Sequence, residues 1–329
     1  MSAQQNIRVQ KWITLVSISL LIVKTIAYFL THSIAILTDA LEGIVNVTAG
    51  FIGLYSLMIS AKPKDADHPY GHGKIEFISA GIEGGMIFLA GAAIFYKALL
   101  ALFNPEPIRS LDIGIWLIAA TGIINFFAGF ICVKTGKKNN SLALIASGKH
   151  LQSDAYSTAG LLIGLILLLI TNYQWLDSAV ALLFSTIILY TGFVILRKSV
   201  AGIMDEADEA LLQKLVVILE KNRKENWVDL HNMRIIKYGS VLHMDCHLTV
   251  PWYLNVHEAH QEIDSLSALV KKEFGDSLEL FVHSDGCLDF SCKICNKGNC
   301  AARQHPFEKR VTWNLKNIVS DQKHHHEKS

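Results

Sequence analysis

Six long apolar runs fill the first two thirds of the chain, and they limit what it can fold into. They lie at about residues 13–31, 34–60, 75–103, 113–133, 142–171 and 176–196. A hydrocarbon core needs roughly 20 apolar residues per helix, and in lipid only helices or closed barrels satisfy every backbone polar group. The runs therefore predict a membrane all-α bundle of six transmembrane helices. Composition agrees: 51% hydrophobic and 18% charged residues are too apolar a mixture for a soluble protein of 329 residues. A net charge of +1 gives no general attraction to nucleic acid, and no nucleic-acid partner is expected. Residues 1–11 are polar, and no small-residue cleavage site follows the first run, so that run is expected to remain as a span.

Orientation follows from Lys and Arg in the flanks. One side carries Arg8, Lys11, Lys62, Lys64, Lys74, Lys134, Lys137, Lys138, Arg197 and Lys198. The short connections of the other side, around His32, 104–112 and 172–175, carry only Arg109. The basic side is expected to be cytoplasmic, with both termini there.

Polar residues inside the runs are the functional signal, because burying them at membrane depth is costly. The fifth run opens with H-L-Q-S-D, placing His150 and Asp154 four apart on one helical face. In the second run Asp39, Glu42 and Asn46 also share a face. Imidazole and carboxylate together are a usual ligand set for a divalent transition metal. Two carboxylates on one buried stripe repel unless a cation or proton lies between them. Helix–helix hydrogen bonding is the alternative role for that stripe. The loop after the second run, K-P-K-D-A-D-H-P-Y-G-H-G-K-I-E, gathers Asp65, Asp67, His68 and His72 among turn-forming Pro and Gly residues. It reads as a second metal site, with a solvated polar loop as the alternative.

The last third reads as a soluble α+β domain. A helix over about 208–224 is followed by strands at 233–238 and 241–250 with a turn at Gly239-Ser240. A helix over 256–274 and a strand at 278–282 complete an αββαβ, ferredoxin-like order. Its histidines are dense: His231, His243, His247, His257, His260 and His283, with Asp285 beside them. The tail carries Cys287, Cys292, Cys295 and Cys300 in a C-x4-C-x2-C-x4-C spacing. That spacing is expected to close a tetrahedral thiolate zinc site, with reactive thiols as the alternative and His305 as a spare ligand. The final K-H-H-H-E-K-S is expected to be disordered. The domains are expected at 1–200, 201–286 and 287–329.

Together these motifs resemble the cation diffusion facilitator family of metal–proton antiporters, from about Trp12 to Asp285. The resemblance rests on S-I-A-I-L-T-D-A, D-A-D-H-P-Y-G-H-G-K-I-E, H-L-Q-S-D and the His-rich domain. It implies a transport metal site at Glu42, Asn46, His150 and Asp154, a loop site at Asp65, His68 and His72, and cytoplasmic sites at His231, His247, His260, His283 and Asp285. Asn232 stands where a member of the family can carry Asp. Lys74 and Asp205 match a charge pair at the family's dimer interface. Glu42 and Asn46 depart from the family's usual zinc pattern, and Asp39 is placed to restore charge.

The implied function is efflux of a divalent cation, Zn²⁺ foremost, from the cytosol against protons, by a homodimer in a cell (inner) membrane. Metal serves as both substrate and regulatory ligand. The competing reading is a membrane-anchored metal sensor or storage protein that moves no ion. A zinc enzyme ranks below both, because neither H-E-x-x-H nor G-x-S-x-G occurs.

Overall fold

The computed structural model describes residues 2–31, 34–103, 114–171, 173, 175–239, 241–275 and 278–325. It falls into two compact units, Met1–Met204 and Asp205–Ser329.

The first unit consists of α1 (Ser2–Thr31), α2 (Ile34–Ser60), α3 (Ile75–Phe103), α4 (Gly114–Lys138), α5 (Leu142–Thr171) and α6 (Trp175–Ile203). Each expected run is a helix. Among the described residues, segments in α1, α2, α3, α4 and α6 are long and apolar enough to cross a membrane. The α5 helix matches them in length, 30 residues or about 45 Å. Its first half is interrupted by Lys149, His150, Gln152, Ser153 and Asp154. Large apolar side chains such as Leu15, Phe29, Phe127 and Ile170 face outward, while Asn6, Gln10, Thr14, Asn46, Glu76, Glu83 and His150 are buried. This inverts the soluble pattern and suits a bundle whose outer solvent is lipid.

Small residues set the helix spacing around the polar interior. A Cβ on Gly129 of α4 would stand 2.6 Å from the Gly148 carbonyl oxygen of α5, and one on Gly148 would stand 2.8 Å from the Gly129 oxygen. Two glycines thus let the backbones touch two residues before His150.

The second unit runs α7 (Glu209–Lys221), β1 (Asp229–Tyr238), β2 (Val241–Val250), α8 (Val256–Phe274) and β3 (Leu278–Gly286), the expected αββαβ order. The sheet order is β1-β2-β3, with β1/β2 antiparallel and β2/β3 parallel. Along β2, Leu242, Met244, Cys246, Leu248 and Val250 are buried at every second position. They pack with Leu215 and Leu219 of α7, Leu266 and Val270 of α8, and Trp227. Asp208 caps α7 by accepting from Leu211 N at 3.0 Å, and Asn255 with Glu258 forms a capping box on α8. Strand β1 starts four residues earlier than the apolar pattern suggested, because a bulge between His231 and Arg234 interrupts its alternation. Asn232 sits in that bulge at φ 50°, and its N–H donates to the Ser320 carbonyl at 2.7 Å.

The tail differs from expectation. Residues beyond 286 fold with the second unit through a short 3-10 helix, Asp289–Lys293, and α9, Leu315–Ile318. Trp313 and Ile318 are buried in the core of the sheet domain. Arg223 lies over the Trp313 ring, 3.9 Å from its centroid, and donates to the Val311 carbonyl. The polar end expected to be disordered is docked as far as His324. That side chain bonds Asp229 through Nδ1 and the Asn317 carbonyl through Nε2, while the His324 N–H donates to Asp229 Oδ2 at 2.8 Å. Composition signalled a solvated end, but a buried carboxylate supplies its partner.

Candidate functional site

Within the helical unit the structure brings α2 and α5 together at Asn46 and His150. His150 Nε2 lies 2.9 Å from Asn46 Oδ1, and both residues are buried. Asp154 follows one turn along α5 and is half-buried. Glu42 and Asp39 lie one and two turns before Asn46 on α2, and their side chains fall outside the described residues. The arrangement gathers an imidazole and an amide carbonyl across two helices, with a carboxylate one turn away. Such groups bind a divalent cation through nitrogen and oxygen.

Two acids the sequence reading passed over lie in the same bundle. Glu76 and Glu83 of α3 are seven residues apart and almost wholly buried. Glu76 accepts hydrogen bonds from Ser60 at 2.8 Å and Ser141 at 2.5 Å. Glu83 accepts from Ser147 of α5 at 2.7 Å. Its second oxygen is buried with no hydrogen-bond partner among the described residues. The signal was legible, since two glutamates at helical spacing within an apolar run follow the logic that singled out Glu42.

The loop before α3 holds the second cluster. Asp65, His68 and His72 each offer a ligand atom, all within 4.8 Å of one another. Asp65 Oδ1 lies 3.1 Å from His68 Nδ1, and its Oδ2 lies 3.2 Å from His72 Nε2. The His68 N–H also donates to Asp65 at 2.7 Å, and this bond leads in holding the Asp65 carboxyl below its ordinary pKa. Asp67 is exposed and outside the cluster.

The second unit forms the third cluster through strand register. His231 of β1 pairs with His247 of β2, and His247 pairs with His283 of β3, so three histidines form one row across the sheet. Asp285, two residues along β3, reaches all three: His247 Nδ1 at 3.2 Å, His231 Nε2 at 3.6 Å and His283 Nε2 at 3.6 Å. His231, His247 and Asp285 offer ligand atoms within 4.8 Å of one another. Beneath them Asp229 approaches His231 Nδ1 at 3.5 Å, an outer carboxylate of the kind that orients a ligating imidazole. Burial alone would raise the Asp229 carboxyl, but hydrogen bonds from His231 and His324 outweigh it and hold the pKa well below the usual range. Asp229 lies two residues before His231 on β1, so strand alternation puts both on one face, but it precedes the strand that the apolar pattern marks at 233–238. His260 lies apart on α8, 3.7 Å from Asp264, and faces the groove that Asp285 also lines.

Cys287, Cys292, Cys295 and Cys300 line one pocket and are all free thiols. Among the described residues, none of them belongs to a group of three ligand atoms within 4.8 Å of one another. Lys74 precedes α3 in the first unit and Asp205 opens the second.

Comparison with known proteins agrees with these features. Residues 11–204 match the model of the cation efflux transmembrane domain, and residues 207–287 match that of the cation efflux protein cytoplasmic domain. An uncharacterized transporter of Synechocystis is 30% identical over 251 residues, covering 76% of this chain and 81% of that protein. The cation-efflux pump FieF of Shewanella oneidensis is 24% identical, covering 82% and 90%. The manganese efflux system protein MneS of Bacillus subtilis is 27% identical, covering 76% and 86%. The two models together span nearly all of the bundle and the sheet domain, and the chain belongs to the cation efflux family, the cation diffusion facilitators.

Proposed function

We propose that this protein exports a divalent transition-metal cation, Zn²⁺ foremost, from the cytosol in exchange for protons. The observation that carries the reading is the buried contact of His150 with Asn46, with Asp154 one turn away. A metal ligand must be deprotonated to bind, so cation and protons compete for His150 and the neighbouring carboxylates. Alternation of the bundle between two openings then couples their opposite movements. Glu83, bonded to Ser147 one turn before His150 on α5, is a further group able to take and release a proton.

Imidazole suits zinc, cobalt, nickel and iron, while a neutral amide carbonyl and carboxylates also accept manganese. Asn46 is thus the residue through which ion preference is set. The loop trio Asp65, His68 and His72 is a second cation site. The His231, His247, His283 and Asp285 row is a regulatory site through which cytosolic metal pairs two protomers, with Lys74 and Asp205 as an interface charge pair. The Lys and Arg distribution, with bacterial relatives, supports an inner-membrane location with both termini in the cytosol. A sensor or storage protein accounts for the histidine row but gives no reason to bury His150, Asn46 and Glu83 among apolar helices.

The test is proton movement in proteoliposomes holding a trapped pH dye. Added Zn²⁺ should drive protons out of the lumen as metal enters, and Fe²⁺, Mn²⁺, Co²⁺ and Cd²⁺ rank the ions. Metal entry with no change in lumenal pH would reject antiport.

A further inference from the structure

The cysteine tail carries chemistry that transport does not use. We infer that Cys287, Cys292, Cys295 and Cys300 hold an iron–sulfur cluster of the four-iron, four-sulfide type. The inference stands apart from the transport reading.

Four thiols from a stretch of fourteen residues converge on one pocket beside Trp252 and Arg303. None is joined in a disulfide. Their spacing favours the larger of two metal centres. Zn–S bonds of about 2.3 Å in a tetrahedron require thiolate sulfurs about 3.8 Å apart. Among the described residues, none of these sulfurs belongs to a trio of ligand atoms within 4.8 Å. A cube of four irons takes one cysteine at each iron corner and sets the thiolates further apart, with four Cys ligands as its usual complement.

The surrounding backbone is built toward the sulfurs. The Trp252 N–H donates to Cys287 Sγ at 3.4 Å, and the Gln304 N–H donates to Cys292 Sγ at 3.4 Å. Hydrogen bonds to ligating sulfurs are among the protein's means of stabilising and tuning such a cluster. Arg303 fixes the loop by donating to the carbonyls of Cys292 at 3.0 Å, Cys295 at 3.1 Å and Lys297 at 2.6 Å. Its guanidinium, on a residue that lines the same pocket, supplies positive charge for an anionic thiolate cluster. The first thiol is anchored to the sheet, where the Cys287 N–H donates to the Val250 carbonyl at 2.8 Å. Cys287 also stands two residues after Asp285, so the cluster would adjoin the histidine row.

The experiment is purification of the full chain in detergent under strict exclusion of oxygen, followed by iron, acid-labile sulfide and zinc analysis with visible and Mössbauer spectra. Iron and sulfide in equal amounts, four of each per chain, are expected, with the broad visible absorption of thiolate-bound iron. The C292S/C295S double variant should lose nearly all iron and sulfide. The C246S variant alters a thiol buried in the sheet core and should keep them. Zinc bound without sulfide and lost in the double variant would overturn the proposal. So would wild-type protein free of iron whose four tail thiols are all alkylated under native conditions. Both results are read on the unaltered chain, so a folding defect in a variant cannot mask them.

Discussion

Replacing Asn46 by Leu tests whether its contact with His150 is part of ion binding or only packing. The two side chains meet at 2.9 Å, and each is under a tenth exposed. That hydrogen bond belongs to the ion-free state, so its loss costs the bundle about 1–3 kcal/mol of stability and does not itself weaken metal binding. Loss of the carbonyl as an oxygen ligand is what weakens binding, on the order of 10- to 100-fold, the range typical when groups supporting a metal site are removed. The expected outcome is a rise in transport KM of that order for every ion carried, with the protein still folded. Asn46→Asp puts an anionic oxygen in the same place and should lower KM while changing the rank order of ions, because charge is added to a site shielded from water. Uptake into proteoliposomes across a concentration series measures both. A folded Asn46→Leu protein with wild-type KM for every ion would show that Asn46 takes no part in binding.

Two further predictions concern the soluble unit. His324→Ala removes a bond to the buried Asp229 carboxylate and should cost the docked tail about 2 kcal/mol, or roughly 30-fold faster amide exchange over residues 311–325. Burial disfavours charge on His324, but the Asp229 bond outweighs it and raises the pKa above 6.5. Its contribution is therefore full below pH 6.5 and fades as pH rises through the raised value; a wild-type/variant difference that grows with pH would contradict this. Asp208→Ala should destabilise α7 by about 1 kcal/mol at neutral pH through loss of its cap. Burial favours the protonated form of Asp208, but bonds from Lys237 and Leu211 outweigh it and lower the pKa below 3.8. Its stabilisation is present above pH 3.8 and is lost as pH falls through the lowered value. Amide exchange of α7 in variant and wild type should converge only in that acid range.

Much of this molecule is legible along the chain because its two solvents impose opposite patterns. Lipid demands helices, so apolar runs marked α1–α6, although α1 begins eleven residues before its run and α4 and α6 continue five and seven residues past theirs. Alternation marked β2, where every second side chain enters the core. The polar residues that lipid cannot tolerate, His150 and Asn46, are found together, because burial leaves them few partners except one another. Legibility failed where contacts are made across distant sequence. Asp229 and His324 lie ninety-five residues apart, and neither position stands out until the tail docks against β1. The cysteine spacing marks a thiolate metal site, but spacing alone does not report how far apart the sulfurs stand.

The most direct test of the account is metal flux through Asp154→Ala under an imposed pH gradient. Full-length wild type and variant would be reconstituted at equal density, with circular dichroism and dimer content checked first. The account predicts gradient-driven uptake in the wild type and its loss in a variant that still folds and still binds metal at the histidine row. Uptake at the wild-type rate by folded Asp154→Ala protein would contradict the assignment of the His150 site as the path of the ion.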